Sequence, residues 1–222
     1  MEKVSNIMLE DTIVAISTPF GFSGLGIIRL SGDRALPVAL EVFLPKSGVS
    51  VKPRHPVLGF LSDPESGKAF DEAFLTYFPK PRSYTKEDVV EISCHGSPVL
   101  LEETVRLCVA SGARHADPGE FTLRAVINGR MDIIQAEAVH DLITATSLDQ
   151  ARISFNQMQG RLSRLIEIFR TRLIHLLSRI EAIVEFPDDN LDVSAETIVR
   201  MLDDTLGSIN HLIGTYELGK SL

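Results

Sequence analysis

Residues 117–143 read D-P-G-E-F-T-L-R-A-V-I-N-G-R-M-D-I-I-Q-A-E-A-V-H-D-L-I, the pattern of two helices joined by a hinge. Asp117 has the character of a helix N-cap, Pro118 suits the first helical position, and Glu120 stands three residues after the cap, so a capping box is expected. Asn128 and Gly129 both tolerate positive φ and end that helix. Asp132 followed by Gln135 opens the next one. Arg130 falls at the junction, where helix ends rather than a slack loop would hold its charge. Spacing alone allows two readings: a well-capped helical hairpin, or a hinge that presents a cation to a ligand.

Upstream of this stretch the pattern is mixed. Residues 12–17 are apolar and β-branched, as a strand requires. Gly21, Gly24 and Gly26 suggest a loop before a strand at 27–30. Residues 33–44 have helical spacing, with Leu36, Leu40 and Phe43 as the apolar face and Pro45 just beyond. Strands are expected at 57–61 and 70–78, flanking the turn D-P-E-S-G at 63–67, and at 89–94. Ser97-Pro98 opens a helix through Ala110.

Downstream the pattern is almost wholly helical. Met158, Leu162, Leu165, Phe169, Leu173, Leu176, Ile180 and Ile183 advance in steps of three or four, the stripe of a bundle helix. A helix running unbroken over 147–186 would be about 60 Å long. Gly160 is its weak point, and Pro187 stops it. Ser194 caps a last helix to about Leu218. Two such helices cannot bury their stripes on each other alone, which points to an incomplete bundle. The fold class is therefore α+β: a mixed α/β domain over 1–117, then the first part of a helical domain over 118–222.

The totals fit a chain able to bury a core. Of 222 residues, 44% are hydrophobic and 23% charged. No apolar run is long enough to span a bilayer, and the first residues do not resemble a secretory signal. Two cysteines, Cys94 and Cys108, fit neither a disulfide scaffold nor metal spacing, and buried thiols in a reducing cytoplasm are expected. A net charge of −8 argues against nucleic-acid binding spread over the whole chain. The stretch 147–186 holds six Arg against four acids, a locally basic helix that a solvated face explains.

Four motifs need weighing. Residues 214–221, G-T-Y-E-L-G-K-S, match the P-loop pattern letter for letter. A P-loop needs a strand before it and a helix after it. Here the preceding segment is helical, so the match is one of chance, and nucleotide binding through Lys220 is not expected. The Gly21–Gly26 loop lies between strands rather than before a helix, so it fails the dinucleotide fingerprint and fits close backbone approach instead. Glu91 is flanked by Val90 and Ile92. Such an acid either faces solvent or sits in a pocket, where two side-by-side oxygens could accept from paired N–H donors on a flat heterocycle. Cys94 and His95, as strand neighbours, point to opposite faces and cannot form a dyad. Cys94 is expected to pack, and His95 to shape a pocket wall.

Four tracts in order carry a family resemblance. They are D-T-I-V-A-I-S-T-P-F-G-F-S-G-L-G-I-I-R-L-S-G (11–32), S-Y-T-K-E-D-V-V-E-I-S-C-H-G-S-P (83–98), the opening stretch, and E-F-P-D-D (185–189). Together they resemble the N-terminal half of the MnmE (TrmE) family of tRNA-modification GTPases. The resemblance implies a first domain similar to folate-dependent aminomethyltransferases, binding a tetrahydrofolate derivative (5-formyl or 5,10-methylene) and forming a homodimer. It places the folate contacts on Arg29, Glu91 and Arg130, converging on one cavity with Glu91 as the pterin anchor. Two departures stand out. Arg130 replaces the usual Lys, keeping the charge but changing its geometry. Phe22 replaces an Arg of the glycine loop.

The resemblance further implies a cytoplasmic protein that, with the flavoprotein MnmG, modifies C5 of the wobble uridine of tRNA. GTP, Mg2+ and K+ would act in a separate G domain. No general acid or base, and no metal ligand in this chain, is assigned. The rival reading is a non-enzymatic dimerisation scaffold that binds no folate.

Overall fold

The computed structural model describes residues 11–46, 49–185 and 195–220. The chain forms two compact units that divide between Asp132 and Ile133. The boundary expected after Asp117 is fifteen residues too early. The first helix of the quoted stretch is tied into the first unit by buried ion pairs.

The first unit is a seven-stranded sheet with two helices packed on one face and a third against one end of the other. Its elements are β1 (Ile13–Ile16), β2 (Ser23–Ser31), α1 (Ala35–Val42), β3 (Phe43–Pro45), β4 (Val57–Ser62), β5 (Ala69–Phe78), β6 (Val89–Gly96), α2 (Pro98–Ala110), β7 (Arg114–His115) and α3 (Glu120–Ile127). The sheet order is β3-β4-β5-β6-β2-β1-β7. All neighbours are antiparallel except β1 and β7.

Alternation along the strands separates two faces. Val14, Ile28, Leu30, Leu75, Val90, Ile92 and Cys94 point towards α1 and α2 and form the core with Val38, Val42, Leu101, Val105 and Cys108. The expected face of α1 was displaced by about one residue: Ala35, Val38, Ala39 and Val42 are buried, whereas Leu40 is exposed. Phe43 is buried as expected but belongs to β3 rather than the helix. Gly24 and Gly26 lie within β2 rather than in a loop. A Cβ on Gly26 would meet the Leu101 methyls at 2.6 and 2.9 Å, so this glycine lets α2 approach the sheet. Cys94 and Cys108 are buried, and burial pushes their thiols up to about 11 and about 12.

At one end the opposite face is covered by residues 83–88 and by α3, held there by charge. The Arg124 side chain is fully buried. It donates to Glu120 Oε1 at 2.9 Å, to the Asp11 carbonyl at 2.9 Å, to Glu87 Oε2 at 3.3 Å, and to the Asp11 carboxylate. Arg114 adds bonds of 2.7 Å to Glu120 Oε1 and of 2.7 Å to Asp11 Oδ2. Glu87 in turn accepts from Ser31 at 2.7 Å. Burial alone would raise the Glu120 carboxyl. Arg114, the Asp117 backbone N–H and Arg124 outweigh burial and hold it at about 2.

The capping box forms by half. Glu120 accepts from the Asp117 N–H at 2.8 Å, but α3 begins at Glu120, Gly119 is the N-cap at φ 76°, and no side chain caps the helix. Residues 118–119 make a turn instead of a first helical turn.

The second unit comprises α4 (Ile133–Ile143), α5 (Leu148–Met158), α6 (Arg161–Glu185) and α7 (Ala195–Lys220). The long helix expected over 147–186 breaks at Gly160, whose φ of 75° is left-handed. Ser147 caps α5 by accepting from Gln150 N–H at 3.2 Å. Of the expected stripe, Phe169 and Leu176 are buried, whereas Leu173 and Ile180 are exposed. Residues 214–220 of the P-loop-like match lie inside α7, so no strand precedes them. Phe186, Pro187, Asp188, Asp189, Ser194 and Ser221 lie outside the described residues. Among the described residues no helix is long and apolar enough to cross a membrane, and no group of three or more acids, His or Cys could hold a metal ion.

Removing one partner of a buried ion pair costs about 3–5 kcal/mol, so Glu120→Gln is expected to lower stability by roughly that amount at pH 7 in urea denaturation. The folded Glu120 carboxyl titrates at about 2, below its ordinary 4.5. Its contribution is therefore complete above pH 4.5 and is lost as pH falls towards 2. The variant should lose less stability than the parent over that window.

Candidate functional site

The strand register creates the centre of the site. Arg29 on β2 stands directly opposite Glu91 on β6, and both point to the face away from α1 and α2. Arg29 Nε and Nη2 both donate to Glu91 Oε1, at 2.9 and 2.6 Å. Each side chain is about a quarter exposed. Among the described residues Glu91 has no other hydrogen-bond donor, so Oε2 remains an open acceptor. One oxygen is therefore already engaged, whereas the sequence reading expected both to be available side by side.

Two aromatic rings flank the pair. The Arg29 guanidinium lies 5.2 Å from the centre of the Tyr84 ring and 5.7 Å from that of Phe121. Arg130 stacks on the same Tyr84 ring at 4.7 Å. Tyr84 is thus shared by two cations, and its hydroxyl is 3.0 Å from Thr122 Oγ1 on α3. Attraction between each guanidinium and the ring face fixes the charges without neutralising them.

Arg130 owes its place to how α3 ends. Gly129 has φ 67°, its N–H donates to Val126 O at 2.9 Å, and the Arg130 N–H donates to Ala125 O at 2.8 Å. These two bonds are a Schellman motif, with Arg130 the second residue past the cap. Asn128 Nδ2 donates to Thr85 O at 2.7 Å, and Lys86 Nζ to Gly129 O at 2.8 Å. The hinge and residues 84–86 are therefore held together.

Arg29, Glu91 and Arg130 come from three distant parts of the chain and gather round Tyr84. Tyr84 and Phe121 were not singled out from sequence, although both lie within the quoted tracts. The i,i+4 pair of Glu120 and Arg124 was a readable signal for the cluster that carries them. His95 lies further along β6, and its Nδ1 pairs with Asp71 Oδ1 at 2.6 Å rather than with any of the three. A separate apolar depression of about 680 Å³ lies on the α2 side, lined by Val14, Ile16, Val99, Val109 and His115 among others. It includes none of the three residues.

Comparison with known proteins agrees with the two units. Residues 12–130 match the family described as GTP-binding protein TrmE N-terminus, and residues 133–222 match the MnmE helical domain. A tRNA modification GTPase MnmE from Koribacter versatilis is 47% identical over 198 residues, covering 88% of this chain and 44% of that protein. Its namesake from Acetivibrio thermocellus is 42% identical over 216 residues, 95% and 46% of the two chains. That from Aquifex aeolicus is 40% identical over 213 residues, 96% and 47%. The chain spans less than half the length of these relatives.

Replacing Tyr84 tests the shared ring. Tyr84→Leu should cost about 1–2 kcal/mol, because both cation–ring contacts are lost. Tyr84→Phe keeps the ring, loses only the hydroxyl bond and should cost less. Equal urea midpoints for the two variants would show that the stacking contributes nothing.

Proposed function

The chain belongs to the MnmE (TrmE) family, and from that premise we propose that its first unit binds a tetrahydrofolate derivative at Arg29, Glu91 and Arg130, within a longer tRNA-modification GTPase. One observation carries the reading. Glu91 is bonded through Oε1 to Arg29 with Oε2 open, and Arg29 shares the Tyr84 ring with Arg130, an arrangement suited to a flat, hydrogen-bonding heterocycle that carries an anionic tail. The folate, when bound, supplies a one-carbon unit.

The residues present fit such a ligand. Arg29 fixes the orientation of Glu91 through two bonds to Oε1, leaving Oε2 to accept from the N–H edge of the pterin. Arg130 contributes a cation in place of the usual Lys, with a planar fork that stacks on Tyr84 as an ammonium group would not. Phe121 and Tyr84 provide the apolar walls.

In the longer protein, GTP hydrolysis with Mg2+ and K+ in a separate G domain drives conformational change. Together with MnmG, the protein installs a carboxymethylaminomethyl-type group at C5 of the wobble uridine of tRNA in the cytoplasm. The first unit also forms a homodimer. Exposed Leu44, Phe60 and Phe74, on the face of the sheet away from α1 and α2, support a self-association surface there.

Calorimetric titration with 5-formyltetrahydrofolate tests the site. A hydrogen bond to a charged group is worth about 1.5–3 kcal/mol, so Glu91→Ala should weaken binding by about ten-fold or more while leaving the circular dichroism spectrum unchanged. Unaltered affinity in the variant would sink the assignment, and absence of binding by the parent chain would favour a scaffold that binds no folate.

A further inference from the structure

Two tracts, V-K-P-R-H-P at 51–56 and P-K-P-R-S-Y-T-K at 79–86, hold five Lys and Arg and no acid, in a chain of net charge −8. The fold brings them side by side. The Arg54 N–H donates to Tyr77 O at 2.7 Å, Pro53 bridges to Tyr77, and Arg54 Nη2 donates to Arg82 O at 2.7 Å. Lys52, Arg54, His55, Lys80 and Arg82 are exposed.

Clustering sets this patch apart: Arg34, Lys68, Arg172 and Arg179 also bond no carboxylate among the described residues, but here several cations lie side by side with no acid in either tract. Arg29, Arg106, Arg114, Arg124, Arg152 and Arg170 each bond a carboxylate. Among the described residues Lys52, Arg54 and Arg82 bond none, and only Lys80 in the patch is paired, with Asp33. The sole non-glycine residues with positive φ among the described residues are Arg54 and Lys86, both at 60°. Backbone in that region costs free energy and persists where its surroundings require it. At Lys86 this conformation accompanies a side chain bonded to Gly129 O. At Arg54 the same conformation accompanies a guanidinium tethered to the Arg82 carbonyl and still exposed.

We propose that Lys52, Arg54 and Arg82 form a docking surface for the phosphate backbone of RNA. The inference rests on the tRNA substrate of the proposed function. Guanidiniums bind phosphate in a two-pronged fashion, and one held in place beforehand loses less freedom on binding. The patch continues along the chain into Tyr84 and Lys86, which hold the hinge carrying Arg130. RNA docked there lies beside the proposed folate site, as a reaction between a carried one-carbon unit and a tRNA base requires. The alternatives fit less well. The tracts are proline-punctuated loops without the amphipathic helix that a membrane surface would favour.

The test is fluorescence anisotropy of the 222-residue chain with an unmodified tRNA transcript, over a range of KCl concentrations. Three chains are compared: the parent, the triple variant Lys52→Gln/Arg54→Gln/Arg82→Gln, and a charge-matched control, Arg106→Gln/Arg152→Gln/Arg170→Gln. The triple variant should bind about ten-fold or more weakly, with the slope of log K against log salt reduced by about 2–3; the control should stay within about two-fold of the parent. Equal losses in triple variant and control, no loss in either, or no saturable RNA binding by the parent would overturn the proposal. So would loss of binding to phosphatidylserine vesicles in place of RNA. If the triple variant fails to fold, Lys52→Glu/Arg82→Glu keeps Arg54 and its tether, and is read the same way. Folate calorimetry on the same proteins separates the two readings. Folate binding without RNA binding sinks only this proposal, whereas RNA binding without folate binding sinks only the folate site.

Discussion

A fully buried arginine governs the geometry of the first unit. Arg124 has no water to solvate it, and an unpaired buried charge of that kind would unfold the region. Glu120, Asp11 and Glu87 satisfy it from α3, from the approach to β1 and from the β5–β6 connection. Those three segments must stay together for the charge to be tolerated. Two of them carry the residues that surround the candidate site. Arg114 joins the same carboxylates, so two cations share three acids in one network, and its members act together rather than as separate pairs.

From that anchor the rest follows in short steps. α3 ends three residues after Arg124, and its Schellman turn delivers Arg130. Glu87 fixes the connection that bears Tyr84. The sheet supplies the other half through register alone, since antiparallel pairing sets Arg29 opposite Glu91. A slip of one residue in either strand would turn Arg29 or Glu91 into the core and turn Ile28 or Val90 out. Burial on one face therefore enforces the charged pair on the other. The helix-packed core provides stability, and the opposite face carries the candidate site.

Much of this was legible in the sequence. β4, β5, β6 and α2 were placed nearly to the residue, because alternation and the Ser-Pro start are strong local signals. The end of α3 was legible in Asn128-Gly129. The start of α3 was not: a Pro-Gly turn also fits D-P-G-E, and here the carboxylate of Glu120 is drawn into the Arg124 cluster as well as to the Asp117 N–H. The unit boundary was misjudged for the same reason, since a buried ion network between residues more than a hundred positions apart leaves no local pattern. Gly160 shows how one left-handed residue can end a helix whose apolar stripe runs on. The P-loop-like run near Lys220 shows the converse, where a letter pattern without its strand has no structural counterpart. The convergence of Arg29, Glu91 and Arg130 came from family resemblance, not from spacing. Tyr84, the ring that two of them share, was visible only in three dimensions.

The most direct measurement is a crystal structure of the chain grown with 5-formyltetrahydrofolate. The expected result is a pterin ring beside Tyr84, its N–H edge on Glu91 Oε2, with Arg29 and Arg130 within hydrogen-bond or stacking distance. A folate seated in the apolar depression between β1 and α2, touching none of those residues, would contradict it.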